Sequence, residues 1–244
     1  MLLRVINPNT TASMTAAIGA AARAVAAPGT VIDAVQPSFG APSIEGHHDE
    51  VWAAAGVAEQ VSAGERVGAA AHIVACFGDP GLHGARELAS GPVIGIAEAA
   101  FHLAAMLATG FSVVTTLTRT CVIAEHLVLQ HGFERRCRGI HGTDIAVLEL
   151  DDPASNAYAR IRDCAQQALD SDRSGAIVLG CAGMADLCQR LQRELGVPVI
   201  DGVGAAVKLA EALVSLGLRT SKRGDYALPL AKGYAGLAAP YSPR

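Results

Sequence analysis

The sequence predicts an α/β protein with a largely parallel sheet, produced by duplication of a smaller unit. Three observations predict it. Short β-like runs alternate with helical stretches, the order expected of βαβ units. The runs are nearly continuous in apolar residues, as strands buried on both faces must be. The order strand, Cys loop, helix, Pro-Val-Ile strand, Ala-rich helix occurs twice along the 244 residues.

Strands are expected at Leu2–Ile6, Val31–Val35, Ile73–Ala75, Val93–Gly95, Ser112–Val114, Ile145–Leu148, Ile177–Leu179 and Val197–Ile200. Helices are expected between most of them. Asn9-Thr10-Thr11 supplies capping side chains for an Ala-rich stretch to Ala27. Asp79-Pro80 and Asp152-Pro153 each read as an N-cap followed by a first-turn Pro. Gln36–Asp49 is the long irregular segment of the first half and reads as a binding lid. Thr220–Arg244, with Pro229, Pro240 and Pro243, is expected to pack back along the surface.

The duplication places two cysteines in matching positions. His72-Ile73-Val74-Ala75-Cys76-Phe77-Gly78 precedes a helical stretch and Pro92-Val93-Ile94; Ile177-Val178-Leu179-Gly180-Cys181-Ala182-Gly183 precedes another and Pro198-Val199-Ile200. Ligands of a parallel sheet bind at the carboxyl ends of its strands, where both thiols fall. The Gly loops that follow offer backbone N–H groups, expected to lower the thiol pKa below its free value of about 8.5 and to cradle an oxyanion. A thiolate on one face of a carbon acid and a thiol on the other would remove and return a proton with inversion. The substrate C–H must then be acidified by a carbonyl, as at C5 of a hydantoin ring.

Composition bounds the alternatives. With 51% hydrophobic but only 4% aromatic residues, the core must be built mainly from Val, Ile, Leu and Ala. A net charge of −4 without a basic run excludes a nucleic-acid surface; Arg135, Arg136 and Arg138 read as a solvated helix end. The first residues turn polar at Asn7, which is unlike a signal peptide, and no run reaches the ~18 apolar residues of a membrane helix. A soluble cytoplasmic chain with six free thiols is expected, of which Cys121, Cys137, Cys164 and Cys188 are structural. His47-His48-Asp49 reads as a solvated lid with side chains pointing apart, and Cys137 and His141 lack a second ligand pair, so no metal is expected. Gly202-Val203-Gly204 is too short for a dinucleotide fingerprint, and Lys208, Lys222 and Lys232 have no Schiff-base setting. No cofactor is expected.

Asn7-Pro8-Asn9-Thr10-Thr11, Cys76-Phe77-Gly78-Asp79-Pro80-Gly81-Leu82, Pro92-Val93-Ile94-Gly95-Ile96, Val113-Val114-Thr115-Thr116-Leu117 and Val178-Leu179-Gly180-Cys181-Ala182-Gly183-Met184 together resemble the hydantoin and allantoin racemase branch of the aspartate/glutamate racemase superfamily. The resemblance runs from Leu3 to about Ser221. It implies two pseudo-symmetric flavodoxin-like lobes, expected over residues 1–97 plus 206–244 and over 98–205, with the active site between them and a homo-oligomeric assembly. By similarity, Cys76 and Cys181 are the acid/base pair, one per enantiomer of a small cyclic ureide. The amides of Phe77, Gly78, Ala182 and Gly183 and the hydroxyls of Thr115 and Thr116 would hold the ring, with Asn9 and Ile44 lining the site. Amino-acid racemases of this fold carry polar side chains directly after their cysteines; Phe-Gly and Ala-Gly here leave backbone donors, which suit a neutral ring. Arylmalonate decarboxylases keep one of the two cysteines, whereas maleate isomerases keep both. A two-thiol cis-trans isomerase of a small dicarboxylate and a non-catalytic binding protein are the alternatives, and Phe39 and Phe77 hint at an apolar ring substituent.

Overall fold

The computed structural model describes residues 1–151 and 155–243; the expected Asp152-Pro153 cap lies outside them. The first sheet contains β1 (Leu2–Ile6), β2 (Val31–Val35), β3 (Ala71–Val74) and β4 (Val93–Gly95), all parallel, in the order β2-β1-β3-β4. The second contains β5 (Phe111–Thr115), β6 (Cys137–Gly142), β7 (Ala176–Leu179) and β8 (Val199–Asp201), again parallel, in the order β6-β5-β7-β8. The two orders are the same pattern shifted by four strands, as duplication requires.

Among the described residues one helix follows each strand: α1 (Ala12–Val25), α2 (His47–Arg66), α3 (Leu82–Leu88), α4 (Ile96–Leu107), α5 (Cys121–Gln130), α6 (Ala157–Asp172), α7 (Cys188–Leu195) and α8 (Gly202–Ser215). The central strands β3, β5 and β7 are buried throughout, which explains their unbroken apolar character. Helix α4, which follows the last strand of the first sheet, packs on β7 and β8; α8, which follows the last strand of the second, packs on β3 and β4. The two helices meet through Ala-rich faces that allow close approach. Ala97, Ala100 and Ala104 of α4 and Ala206 and Ala210 of α8 lie in one core that joins the two sheets.

Four of the five phenylalanines occupy a single cluster in that core. Phe101 of α4 is fully buried, with ring centroids 5.6 Å from Phe77, 5.6 Å from Phe111 and 5.8 Å from Phe133. Each such ring contributes roughly 1.5–3 kcal/mol by burial. The cluster joins the first Cys loop to the second sheet.

Three sequence expectations differ from the structure. Ile145–Leu148 is not a strand: Ile145 is buried in a loop and Val147–Asp151 forms a 3-10 turn. The strand is Cys137–Gly142 instead, which reads as a charged turn because an edge strand pairs on one side only and remains partly exposed. Its polar side chains are satisfied locally, with His141 Nε2 and Ser112 Oγ each 2.6 Å from Asp172 Oδ2. The irregular segment ends earlier than expected, since His47-His48-Asp49 forms the first turn of α2. The C-terminal segment does pack back on the first half: Thr220 Oγ1 donates to the Gly91 carbonyl at 2.6 Å, and Tyr241 Oη to Glu59 Oε1 at 3.2 Å.

Candidate active site

Cys76 lies two residues beyond the last residue of β3, and Cys181 two beyond the last residue of β7. This equal offset brings one thiol from each sheet to a single cavity with about 620 Å³ of empty space, part of it open to solvent. Asn9, Ile44, Phe77, Gly78, Thr115, Thr116 and Ala182 also line it, so the residues expected around the thiols converge there. Gly183 does not; it packs beneath Leu150, 3.1 Å from an ideal Cβ position, and beside Cys181 Sγ at 3.7 Å. Phe39 is likewise not among the lining residues.

Each wall is held by short-range hydrogen bonds. Asn7 Nδ2 donates to Asn9 Oδ1 at 2.8 Å and to Thr15 Oγ1 at 2.9 Å, while the Thr11 N–H donates to Asn9 Oδ1 at 2.9 Å. The carboxamide oxygen of Asn9 is therefore engaged. Its Nδ2 faces Met14 Sδ at 3.4 Å, a weak acceptor, and is available to a ligand carbonyl. Thr10 and Thr11 tie this loop to the carbonyls of Ala41 and Pro42, which carries Ile44 over the cavity. The Val147 N–H donates to Glu45 Oε1 at 3.3 Å, so the covering loops of the two halves touch. The Thr115 hydroxyl donates to the Gly180 carbonyl at 2.9 Å, which fixes the Cys181 loop and leaves the oxygen of Thr115 only as an acceptor. As an acceptor it can hold a ring N–H but not a ring carbonyl.

Asp79 does not cap the helix that follows it. It takes a left-handed conformation, φ +43°, and its carboxylate reaches the start of α4, accepting from the Ala97 N–H at 3.1 Å and the Glu98 N–H at 3.0 Å. The fit is tight: a Cβ on Gly95 would lie 2.2 Å from that carboxyl. Helix α3 begins only at Leu82, after Gly81. Asp79 thus connects the Cys76 turn, closed by the Asp79 N–H to Cys76 carbonyl bond of 3.0 Å, to the helix carrying Phe101. Burial pushes the Asp79 carboxyl up to about 7 against the two amide bonds.

The thiol electrostatics also differ from the expectation. Burial pushes Cys76 up to about 12; the Gly78 N–H favours the thiolate, but the nearby Cys181, Asp79 and Glu50 oppose it. The amides of the Gly loop are present, yet desolvation outweighs them. A thiolate formed there is scarce and strongly basic, properties suited to a carbon acid.

Sequence reasoning missed Glu50, Thr120, Ile123 and Val147, which line the cavity together with Asn7, Met14, Ala75, Ala124 and Gly180. Thr120 and Ile123 come from the turn and helix after β5, whose hydroxyl-rich start was visible in the sequence. Glu50 adjoins His47-His48-Asp49, which reads as a solvated lid until the helix turns its fourth residue inward. Glu50 is the sole Asp, Glu, Lys or Arg among the described residues lining the cavity. No group of three or more His, Cys, Asp or Glu positioned to hold a metal ion occurs among the described residues.

Comparison with known proteins places this site in a family. An allantoin racemase structure from Klebsiella pneumoniae superposes with a TM-score of 0.98 at 59% identity over 100% of both chains. An allantoin racemase structure from Pseudomonas fluorescens gives 0.93 at 43% identity, covering 97% of this chain and 100% of that one. A hydantoin racemase from Rhizobium meliloti is 47% identical over 97% of this chain and 98% of its own. Residues 3–210 match the Asp/Glu/hydantoin racemase family, and the chain belongs to it.

Proposed function

We propose that this racemase inverts C5 of 5-substituted hydantoins, allantoin among them, without a cofactor and through its two thiols. The observation that carries this reading is the pairing of Cys76 and Cys181, one from each sheet at the same offset from its strand, on one cavity. The C5–H bond breaks as its proton passes to the thiolate, and the electron pair moves onto the adjacent ring carbonyl as an enolate. The opposite thiol then returns a proton to the other face and becomes the thiolate. Exchange with solvent resets the pair, so atoms and charge balance over each turnover. Asn9 Nδ2 and the backbone N–H groups of Gly78 and Ala182 would stabilise the enolate oxygen. The relatives named above, racemases of allantoin and of hydantoins, support the ring class. A dicarboxylate would instead meet Glu50, and no Lys or Arg is among the described lining residues to receive it.

The same proposal includes a cytoplasmic homo-oligomer. All six cysteines are free thiols, consistent with a reducing compartment, and among the described residues no helix is long and apolar enough to cross a membrane. The test is loss of optical rotation of single enantiomers of allantoin and 5-benzylhydantoin in deuterated water. Racemisation with one deuterium gained at C5, abolished by Cys76→Ser and by Cys181→Ser, is the expected result. Full activity in either Ser variant would remove the two-thiol mechanism, and inertness toward both rings would remove the hydantoin assignment and favour a binding protein.

A further inference from the structure

We infer that Glu50 selects among 5-substituents, favouring those that present N–H donors, such as the ureido group of allantoin, and rejecting those that carry a carboxylate. This rests on the ring-racemase reading above and names its substrate class more narrowly. Glu50 lies in the first turn of α2, with its side chain 20% exposed, and it lines the cavity that holds both thiols. Its Oε2 is 3.0 Å from His47 Nδ1, and His47 itself is 65% exposed, so this oxygen is anchored toward the outside. Oε1 lies over the Cys76 loop: a Cβ on Gly78 would come within 2.8 Å of it, so that only Gly leaves this oxygen undisturbed. The negative charge of Glu50 is felt at the Cys76 thiol.

That position defines what Glu50 can touch. Cys76 addresses the hydrogen on C5, and the 5-substituent is bonded to the same carbon, so a carboxylate beside Cys76 is near the substituent rather than the far edge of the ring. Glu50 and Gly78 also form the border of an adjoining cleft, of about 860 Å³ with its open mouth, whose walls include His83 and Gln130. A substituent leaving the thiol cavity on this side passes Glu50 and enters this cleft, where the imidazole of His83 and the carboxamide of Gln130 stand among largely apolar walls. A carboxylate only accepts hydrogen bonds. A ureido group supplies several donors to Oε1, a benzyl group desolvates that oxygen without offering it a donor, and a carboxymethyl group is repelled by it.

The test measures kcat/KM for allantoin, 5-benzylhydantoin and 5-carboxymethylhydantoin with wild type, Glu50→Gln and Glu50→Leu. Wild type is expected to prefer allantoin. Glu50→Leu should lower the allantoin-to-benzylhydantoin ratio roughly 10- to 100-fold, the range of one lost charge-assisted hydrogen bond. Glu50→Gln, an isostere that keeps the fold accessible if the Leu variant fails, should raise carboxymethylhydantoin relative to allantoin. Ratios that move less than about 2-fold in either variant, or a wild-type preference for the benzyl ring, overturn the role of Glu50 and leave the racemase reading intact. Wild type inert toward all three rings overturns both.

Discussion

Asp79→Asn changes one charge in a buried turn, and its effect on stability should depend on pH in a calculable way. A free aspartate titrates near 3.8, whereas burial raises Asp79 to about 7. A raised folded-state pKa means that the folded protein holds the proton more tightly than the unfolded chain. The resulting stabilisation is fully present below about pH 4 and is lost as the pH rises through about 7. At about 1.4 kcal/mol per pKa unit, the loss is about 4 kcal/mol. In the wild type this slope is masked by His72, which burial depresses from 6.5 to about 4. A depressed histidine acts in the opposite sense: the unfolded chain binds the proton more tightly, so stability rises with pH between about 4 and 6.5, by about 3 kcal/mol. The wild-type profile is therefore shallow, that of Asp79→Asn keeps the His72 rise, and the informative quantity is the difference between variant and wild type. Asn lacks the titration and places its amide donor against a backbone N–H, a pH-independent cost of about 1–3 kcal/mol. Urea unfolding at fixed protein concentration, followed by far-UV circular dichroism across about pH 4–8, gives that difference. The stability of Asp79→Asn relative to wild type should increase by about 4 kcal/mol from the acid to the neutral end. A difference that stays constant with pH would refute the argument, because it would mean that the carboxyl on the α4 N-terminus titrates as it does in the unfolded chain.

Two further outcomes follow from the core and the thiols. Phe101→Ala removes the ring that touches Phe77, Phe111 and Phe133 and should cost about 3–5 kcal/mol, lowering Tm by roughly 6–20 °C, against about 1–1.5 kcal/mol for Phe101→Leu; differential scanning calorimetry of the pair distinguishes a rigid cluster from one that collapses around the gap. Because burial holds the Cys76 proton up to about 12, kcat/KM for racemisation should climb through neutral and alkaline pH. The profile must be identical for the two enantiomers, whose equilibrium constant is one, and a flat polarimetric profile over about pH 6–9 would show a thiolate already formed in the free enzyme.

Much of the architecture was legible because it is written locally. Apolar runs such as Ile73-Val74 and Ile177-Val178-Leu179 mark strands buried on both faces. The repeated order of strand, Cys loop and helix became two sheets with the same strand pattern, so the like-placed cysteines arrived at one cavity. Where a segment's state depends on its neighbours, local reading failed. Cys137–Gly142 is polar enough to pass for a turn, and it is a strand because β5 offers it a free edge. Ile145–Leu148 is apolar enough to pass for a strand, but Ile145 buries in the core of the second half and Val147 lines the cavity instead.

The sequence by itself determined the duplication, the parallel α/β class and the matching placement of Cys76 and Cys181, because periodicity and register are properties of consecutive residues. Tertiary structure alone decided the chemistry around them. Asp79 serves a helix that begins 17 residues later, Glu50 is turned inward by the helix it opens, and the Cys76 proton is held by burial rather than released by the adjacent amides. Desolvation and the reach of a charge depend on what the folded chain brings within a few ångströms, and the order of residues along the chain does not contain those distances.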